Sequence, residues 1–513
     1  MTPNGYHKDR APPRVRAVGF SGTRVPGHAM HPILFRIPVP NGSLKLWWAL
    51  AVVGVVAVVL GLLAARRRDV REAVTSLVVV AAAGIAGYVW RGTEFNAPEL
   101  PIYGYGVMLG LSLIVGWYLT LPLAERDGLP KDTMANCFVV TAIAALVGSR
   151  VLYVVTNPDE FKTTASLFAL RNGGLVAYGG FFGGVLGSWA FLASKRIRLL
   201  AWGDDAVPSL AAGLMITRIG CYLFGCDFGK QLPDSAPAFL KTLGTFPHWS
   251  AETMPNGDGS PAFVRHLELY RGTPQESVLL RMNTSFPVHP TQLYESLVGL
   301  LLLGLLYWQR KHMRFRGQVF LLFVYAYGFL RFVLELWRDD VERGSYGPTI
   351  DAHIYVPACL LLFAIGFVFA ISLAITNERA RLAARLLVFV PAVVAYLALK
   401  PAAFGEPTPY QLSTSQLLGL VTGLVAAYFY ARFWEQAGAE PRLAMSMGDA
   451  TFIARLRKSE QRGDGEREPE EPEAADEGDE GDETEPEAEP ERPSPGSRSK
   501  PPPPKTEPEP GTT

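Results

Sequence analysis

Long apolar stretches separated by short polar connections cover most of the chain, and this pattern predicts membrane-spanning helices. A helix needs about 20 mostly apolar residues to cross the hydrocarbon layer of a bilayer. Eleven stretches meet that requirement, at 47–65, 72–90, 104–123, 136–156, 175–194, 205–224, 291–308, 317–337, 354–376, 384–400 and 415–433. Backbone polar groups in lipid must bond within their own segment, which favours helices. We therefore expect an all-α polytopic membrane protein with about eleven transmembrane helices in the lipid bilayer.

Basic residues in the connections predict the orientation of these helices. Groups of basic residues follow every second stretch, beginning with the first. After the first stretch come Arg66, Arg67, Arg68 and Arg71; after the third, Arg126 and Lys131; after the fifth, Lys195, Arg196 and Arg198; after the seventh, Arg310, Lys311, Arg314 and Arg316; and after the ninth, Arg379, Arg381 and Arg385. Short connections rich in Lys and Arg remain in the cytoplasm. These five connections share one side if all eleven stretches cross. The long connection 225–288 is then expected outside.

The two ends of the chain depart from the membrane pattern. Residues 1–46 are basic yet fall outside by this count, so either the first stretch does not cross or the chain starts near Met30. From Glu460 to the end there are 19 acidic residues, 6 basic residues, 12 prolines and no aromatic residue. Such a segment has too little apolar surface to form a core. Residues 441–513 are predicted to be a disordered cytoplasmic tail rich in Pro and Glu.

Composition adds two constraints. The formal net charge of the chain is zero, but residues 1–459 hold 42 Lys and Arg against 29 Asp and Glu, a net charge of +13 that the acidic tail offsets. The 4 cysteines are too few for a disulfide scaffold. Nothing in the sequence predicts nucleic-acid binding.

A few charged side chains lie inside the apolar stretches. Arg218 is near the outer end of its stretch, Arg150 ends the fourth, and Arg331 is followed four residues later by Glu335 on the same helix face. Ionisable residues at membrane depth are costly, so they are functional hypotheses by default. The guanidinium fork matches phosphate oxygens, and a phospholipid head group is the expected ligand. The alternative is a structural Arg331–Glu335 pair and an Arg218 side chain that reaches the interface.

Glycines are concentrated at the start of the fifth stretch. The run 173–184 contains Gly179 and Gly180 beside Tyr178, whose hydroxyl is a hydrogen-bond donor. Glycine lets a lipid or another helix approach the backbone closely. Packing between helices would explain the same run.

Two cysteines and one histidine could carry chemistry. Cys221 and Cys226 are not spaced as in zinc sites and have no second ligand pair, so we predict structural thiols and no metal. His289 precedes the seventh stretch and is placed for proton transfer at the outer interface. A structural role at the N-terminus of that helix explains His289 equally well.

Several motifs together resemble the bacterial prolipoprotein diacylglyceryl transferase family. In the order of that family they are 102–106 (Ile-Tyr-Gly-Tyr-Gly), 148–154 (Gly-Ser-Arg-Val-Leu-Tyr-Val), the glycine run 173–184, Asp204 with Pro208, 218–229 (Arg-Ile-Gly-Cys-Tyr-Leu-Phe-Gly-Cys-Asp-Phe-Gly), 289–295 (His-Pro-Thr-Gln-Leu-Tyr-Glu), 327–335 with its Tyr-Gly, Arg and Glu, and 413–416 (Ser-Thr-Ser-Gln). Each motif is weak alone, but their order on the expected helices is specific. The resemblance covers about 100–340 and 411–433.

The resemblance implies a domain layout. Residues 99–340 and the last core helix at 411–440 would form a seven-helix core. Residues 47–98 would add two helices, and 341–410 would be an inserted pair. The chain departs from the family at three positions: Cys221 stands where asparagine is frequent, Cys226 where an acidic residue is frequent, and Tyr178 where well-known members have histidine.

The resemblance also implies an activity. A diacylglyceryl group would pass from phosphatidylglycerol to the lipobox cysteine thiol in the signal peptide of a prolipoprotein, forming a thioether and releasing glycerol phosphate. The protein would lie in the bacterial cytoplasmic (inner) membrane with its site toward the outer face, and would need no cofactor. A thiolate nucleophile and cations for the departing phosphate are required.

The expected site residues follow from these motifs. Catalytic roles are expected for Arg218, Arg331, Tyr178, His289 and Glu335. Phosphatidylglycerol is expected to contact Arg218, Arg331, Arg150, Tyr105, Gly179, Gly180 and Gly229. The general base remains open between Tyr178, His289 and Glu335. A phospholipid transporter or flippase and a non-enzymatic membrane scaffold are the alternatives from other functional classes.

Overall fold

Helices make up most of the structure. The computed structural model describes residues 32–39, 43–66, 70–89, 94–96, 99–158, 161, 174–250, 259–339, 344–400 and 408–462. Most of the basic segment 1–46 and of the acidic tail, namely 1–31 and 463–513, lies outside the described residues.

The helices follow the apolar stretches of the sequence. They are α1 (Leu46–Arg66), α2 (Val70–Val89), α3 (Gly104–Arg126), α4 (Lys131–Thr156), α5 (Ala177–Ser194), α6 (Leu199–Phe224), α7 (Ala238–Leu243), α8 (Pro261–Leu269), α9 (Pro274–Met282), α10 (Thr291–Arg310), α11 (Gln318–Leu334), α12 (Ala352–Phe369), α13 (Glu378–Leu387), α14 (Val390–Ala398), α15 (Thr414–Ala439), α16 (Pro441–Ala444) and α17 (Ala450–Arg462). Short 3₁₀ turns extend α11 over Glu335–Trp337 and α12 over Ile371–Ala374.

The predicted fold class, an all-α polytopic membrane protein, is confirmed. Within the described residues, 8 helical segments are long and apolar enough to cross a membrane: α3, α4, α6, α10, α11 with its 3₁₀ turn, α12 with its 3₁₀ turn, α13 with α14, and α15. The first two predicted spans contain shorter apolar helical segments, Leu50–Val59 and Ser76–Tyr88. The count of eleven spans stays a prediction.

Short strands pair across the connections between helices. Strand β1 (Ile33–Pro38) pairs antiparallel with β4 (Glu99–Tyr103), and β2 (Ser43–Lys45) pairs with β3 (Glu94–Asn96). Strand β5 (Tyr346–Asp351) pairs with β6 (Pro409–Leu412). The last pair joins the connection after α11 to the start of α15.

Helix pairs build the body of the protein. Helix α3 packs on α6, α4 packs on α5, α10 packs on α6, and α11 packs on α15. The largest apolar core is shared by α6, α10, α11, α12 and α15, with Phe332 and Phe363 fully buried in it. Helices α11 and α15 touch at glycines, since a Cβ on Gly328 would lie 2.5 Å from the carbonyl oxygen of Gly419. The core therefore fixes the ends of α6, α10 and α11 relative to one another.

The segment 441–462 is ordered, although the sequence analysis places it in the disordered tail. Helix α17 buries Ile453 and Leu456 against residues of α3, α4 and α5. The Glu460 Oε1 atom accepts hydrogen bonds from the Thr133 backbone N–H, at 3.1 Å, and hydroxyl, at 3.0 Å, in the first turn of α4. Two apolar side chains on one helix face and a carboxylate at a helix N-terminus hold α17 in place.

Candidate functional site

Helix α6 ends in a turn that returns the chain toward Arg218. Gly225 caps the helix in the left-handed conformation, at φ 76°, and a Cβ there would lie 3.2 Å from the Trp249 ring. Asp227 is also left-handed, at φ 57°. This turn brings the Asp227 carboxylate back beside the last turns of α6. The Arg218 Nη1 atom lies 2.6 Å from Asp227 Oδ2.

Glu295, in the second turn of α10, is the centre of the site. Its Oε1 atom lies 2.7 Å from Arg331 Nη1 and 3.4 Å from Arg338 Nη1, and its Oε2 atom contacts Arg218 Nε. The Glu295 side chain is only 3% exposed. One buried carboxylate thus joins arginines from α6, from α11 and from the segment after α11.

Two further carboxylates complete the charge balance. Glu335 Oε2 lies 2.9 Å from Arg331 Nη1, and Asp227 Oδ1 lies 2.5 Å from Arg338 Nη2. We call Arg218, Asp227, Glu295, Arg331, Glu335 and Arg338 the Arg218 cluster. It holds three positive and three negative side chains. Buried charges persist at such a density only when they are paired and hydrogen-bonded.

The side chains of the cluster differ in their exposure. Burial alone would raise the pKa of the Asp227 carboxyl, but Arg218 and Arg338 outweigh it and lower that pKa to about 2. The Asp227 side chain is 28% exposed and that of Arg218 is 18% exposed, whereas Glu335 is 1% exposed. Arg218 is thus somewhat more exposed than Arg331, whose side chain is 11% exposed.

Tyr178 and Tyr105 border the cluster from two other helices. The Tyr178 hydroxyl lies near Ser415 and Arg331, and the Arg331 Nη2 atom donates to Ser415 Oγ at 3.1 Å. Tyr105 packs on α6, since a Cβ on Gly220 would lie 3.1 Å from the Tyr105 Cα atom. Helices α3, α5 and α15 thus add hydroxyl groups around the ion pairs.

His289 and Gly229 lie behind the Asp227 turn. The Gly229 N–H donates to the His289 carbonyl oxygen at 2.9 Å, and a Cβ on Gly229 would lie 2.6 Å from the Trp337 carbonyl oxygen. The His289 Nδ1 atom lies 3.3 Å from the Tyr294 hydroxyl. Burial and the nearby Lys230 lower the pKa of His289, which favours its neutral imidazole. Gly229 gives two backbone segments room to cross.

Arg150 holds the segment that leads into α5. Its Nη1 atom donates to the Gly174 carbonyl oxygen at 3.0 Å, and its guanidinium lies 5.1 Å from the centre of the Phe161 ring. Gly174 has φ 82°, and a Cβ there would lie 2.5 Å from the Tyr153 ring. These contacts place Arg150 at the entrance to the helix that carries Tyr178.

Gly179 and Gly180 face α4. A Cβ on Gly179 would lie 2.3 Å from the Gly148 carbonyl oxygen, and a Cβ on Gly180 would lie 2.6 Å from Ser149 Oγ. Helices α4 and α5 therefore pack backbone to backbone at this level. Gly180 also lines a largely apolar cavity of about 480 Å³ between α3, α4, α5 and α6, together with Ser112, Phe138 and Trp202.

A second ion cluster lies at the opposite ends of α6 and α10. The Arg310 Nη1 atom donates to Asp205 Oδ1 at 2.8 Å, and Arg310 Nη2 lies 3.0 Å from Asp127 Oδ1. Asp127 also contacts Arg316. We call Asp127, Asp204, Asp205, Arg310 and Arg316 the Arg310 cluster.

Asp204 of that cluster caps helix α11. Its Oδ2 atom accepts from the Gly317 N–H at 2.6 Å, and its Oδ1 atom accepts from the N–H groups of Val319 and Phe320, both at 2.9 Å. Asp204 and Asp205 are fully buried. These contacts satisfy donors that a helix N-terminus leaves unpaired.

Four residues in or beside the Arg218 cluster were not among the site residues expected from the sequence: Asp227, Glu295, Arg338 and Ser415. Glu295 ends the 289–295 motif and Asp227 lies within 218–229, so the motifs contained them without indicating their partners. Arg338 follows Glu335 by three residues, the spacing of neighbours on one helix face. That spacing was the available signal for Arg338.

Comparisons with known proteins agree on one family. Residues 93–376, more than half of the chain, match the family model described as prolipoprotein diacylglyceryl transferase. A protein of Thermus thermophilus named phosphatidylglycerol–prolipoprotein diacylglyceryl transferase is 32% identical over 279 residues, which are 51% of this chain and 92% of that protein. A protein of the same name from Clostridium tetani is 28% identical over 251 residues, 49% of this chain and 86% of that protein.

Proposed function

The chain belongs to the prolipoprotein diacylglyceryl transferase family, and from this premise we propose that it transfers a diacylglyceryl group from phosphatidylglycerol to a cysteine thiol of prolipoproteins. In this reaction the sulfur attacks the glycerol carbon that carries the phosphate. A C–S bond forms, the C–O bond to the phosphate breaks, and glycerol phosphate leaves with the electron pair. The thiol proton passes to a base.

The observation that supports this proposal is the convergence of Arg218 and Arg331 on one carboxylate. Arg218 contacts Glu295 Oε2, and Arg331 Nη1 lies 2.7 Å from Glu295 Oε1. The two guanidinium groups bind the two oxygens of the Glu295 carboxylate, and this spacing also suits the oxygens of a phosphate. A phosphate at the exposed edge of Arg218 would share these donors with Glu295 and Asp227.

The arginines act on the leaving group. Negative charge develops on the phosphate as the C–O bond breaks, and preorganised cations stabilise that charge more than they stabilise the ground state. A single donor of this kind contributes about 3–4 kcal/mol in other enzymes. Glu295, Glu335 and Asp227 keep the guanidinium groups oriented before the lipid arrives, so no large rearrangement is needed at the reacting moment.

The base is assigned to the outer rim of the site. We infer that His289 is this base, because burial and Lys230 lower its pKa and so favour the neutral imidazole that can accept the thiol proton. Tyr178, near Arg331, orients the lipid through its hydroxyl. Arg150, Tyr105, Gly179, Gly180 and Gly229 shape the surrounding pocket.

The orientation follows from the basic connections. We place the protein in the bacterial cytoplasmic membrane, with the Arg310 cluster at the cytoplasmic side and the Arg218 cluster toward the outer face. The acceptor is the lipobox cysteine of a signal peptide, which reaches the outer face after translocation. We interpret the three helices between β5 and β6, α12, α13 and α14, as the inserted pair of spans. The chain on either side of them meets in the site, where Arg331 donates to Ser415.

Complementation in a bacterial strain depleted of its own transferase tests the proposal. The Arg331→Gln chain is expected to fail to restore growth and lipoprotein modification, because it loses one of the two arginines proposed to hold the phosphate. The Arg432→Gln chain is the matched control, since Arg432 is an exposed arginine of α15 paired with Glu435. Normal lipoprotein modification by Arg331→Gln at equal membrane levels would contradict the assignment. Lipid uptake without thiol alkylation would instead identify a transporter.

A further inference from the structure

Three potential metal ligands meet at the end of α6. The Sγ atoms of Cys221 and Cys226 and a carboxylate oxygen of Asp227 all lie within 4.8 Å of one another. Cys226 Sγ is 3.9 Å from Asp227 Oδ2. Cys221 is buried, and the other two are partly buried. The sequence analysis predicts no metal, because the spacing of these cysteines is not that of a zinc site; the structure brings the ligand atoms together in another way.

The helix end replaces the usual close spacing of cysteines. Cys221 lies in the last turn of α6, and the left-handed Gly225 folds the chain back, so that the Cys226 Sγ atom lies 3.8 Å from the Cys221 carbonyl oxygen. Asp227, itself left-handed, turns its carboxylate to the same side. Cys221 and Cys226 are two of the positions at which this chain departs from the family pattern. Both carry a thiol, which is a soft metal ligand, and the two sulfur atoms lie close together.

We propose that Cys221, Cys226 and Asp227 form a binding site for a thiophilic divalent cation of the Zn²⁺ class. Two thiolates and one carboxylate supply three ligands of a tetrahedron and leave the fourth position open, as in catalytic rather than structural zinc sites. Thiolates select such cations over Mg²⁺ and Ca²⁺, which prefer oxygen ligands.

The charges of the site accommodate this ion. The Arg218 cluster holds three arginines and three carboxylates, with no formal net charge. Binding of one divalent cation forms two metal–sulfur bonds and releases the two thiol protons to solvent, so the formal charge stays unchanged. Arg218 Nη1, 3.8 Å from Cys221 Sγ, donates to that sulfur.

The open position gives the ion a role that rests on the proposed function. The incoming cysteine of a prolipoprotein would bind there as a thiolate, and its S–H proton would pass to His289, the base of the proposed function. That places a sulfur nucleophile next to Arg218, where the phosphate is proposed to bind. The cation would thus activate the incoming thiol.

Cobalt binding by the full-length chain tests the site without any transferase assay. The reduced protein is purified in detergent, stripped with a chelator and titrated with Co²⁺, and the thiolate-to-cobalt charge-transfer absorption is recorded. We expect one Co²⁺ per chain, displaced by Zn²⁺. Cys226→Ser should weaken binding at least tenfold and reduce the absorption. Cys359→Ser is the control, because Cys359 is buried in the α12 core.

A second readout guards against misfolded variants. Zn²⁺ is expected to raise the midpoint of thermal unfolding of the wild type and of Cys359→Ser, and to leave that of Cys226→Ser unchanged. Absence of charge-transfer absorption in the reduced wild type, or equal binding by Cys226→Ser, would overturn the proposal. A native Cys221–Cys226 disulfide found by mass spectrometry would overturn it too. None of these readouts uses lipid or peptide. They therefore test the metal site separately from the proposed transferase activity.

Discussion

The two ends of helices α6 and α10 carry similar ion pairs that are built for different purposes. At one end, Arg310 bonds to the buried carboxylate of Asp205 and to the Asp204 carbonyl oxygen, and the Asp204 carboxylate accepts hydrogen bonds from backbone N–H groups of α11. At the other end, Arg218 and Arg331 bond to side chains of the cluster, and Arg218 also donates to the Cys221 sulfur and Arg331 to the Ser415 hydroxyl. An ion pair committed to the backbone stabilises the fold, whereas one made of side chains next to solvent can exchange a partner for a ligand.

The most exposed carboxylate lies at the Arg218 end, although Asp127 of the Arg310 cluster is also 19% exposed. Asp204 and Asp205 are fully buried, but the Asp227 side chain at the Arg218 end is 28% exposed. Removing one partner of a buried pair leaves an uncompensated charge and costs several kcal/mol. The Arg310 cluster should therefore respond to substitution mainly through stability, and the Arg218 cluster mainly through activity.

Arg310→Gln should produce the largest loss of stability. It removes the cation that contacts both Asp205 and Asp127, and breaking a buried pair costs about 3–5 kcal/mol. We expect a lower thermal midpoint in detergent and less protein in the membrane. The transfer rate per folded molecule should be unchanged. The exposed Arg432→Gln is the control, and a wild-type midpoint for Arg310→Gln would contradict the structural role.

Arg218→Gln should show the opposite division of effects. The loss of one preorganised donor lowers the rate by about 10²–10³-fold, or about 3–4 kcal/mol in the barrier. Transfer to a fluorescent lipobox peptide, normalised to folded protein by size-exclusion chromatography, measures this effect. A rate within threefold of wild type would remove Arg218 from the reaction and erase the distinction between the two clusters.

Asp204→Asn should destabilise the chain by a smaller amount. Asparagine has one carbonyl oxygen in place of two carboxylate oxygens, so at least one of the N–H groups of Gly317, Val319 and Phe320 loses its acceptor. An unsatisfied buried group costs about 1–3 kcal/mol. The thermal midpoint should fall while the rate per folded molecule stays constant. Asp132→Asn, at an exposed position in α4, should leave both unchanged.

The pH dependence of stability at Asp227 should be the smallest effect. Its pKa of about 2 in the folded chain is below the unfolded value of about 3.9. Its stabilisation is therefore complete above the unfolded pKa and is lost as the pH falls through the folded pKa. The difference in thermal midpoint between wild type and Asp227→Asn should be constant from pH 7 to about pH 5 and shrink below about pH 4. Exposed Asp234→Asn should give no such difference, and a change already at pH 6 would contradict the ion pairs.

The sequence predicted the fold class because long apolar segments in lipid form helices, which satisfy their own backbone hydrogen bonds. It also selected Arg218, Arg331 and Glu335, because charges in apolar helices are rare. The structure adds their arrangement: Arg331 Nη1 contacts both Glu335 and Glu295. The role of Glu295 was not predictable from its own segment, since its partners lie 77 and 36 residues away along the chain.

Two further features depend on tertiary structure. Asp227 joins the site only because Gly225 and Asp227 are left-handed, a local choice that no apolar pattern reveals. Helix α17 is polar overall, and its order comes from Ile453 and Leu456 meeting an apolar surface of other helices. Gly179 and Gly180, in contrast, make contacts that the sequence could suggest. Helix packing was one of the two explanations for the glycine run, and both residues pack against α4.

The most direct test of the central claim is the mass of a lipobox peptide after incubation with the purified chain and phosphatidylglycerol. We predict an increase by one diacylglyceryl group on the cysteine, with one glycerol phosphate released per modified peptide. A peptide with serine in place of that cysteine, and the Arg331→Gln chain, should show no increase. An unmodified peptide in a reaction where the Thermus thermophilus relative modifies the same peptide would contradict the claim.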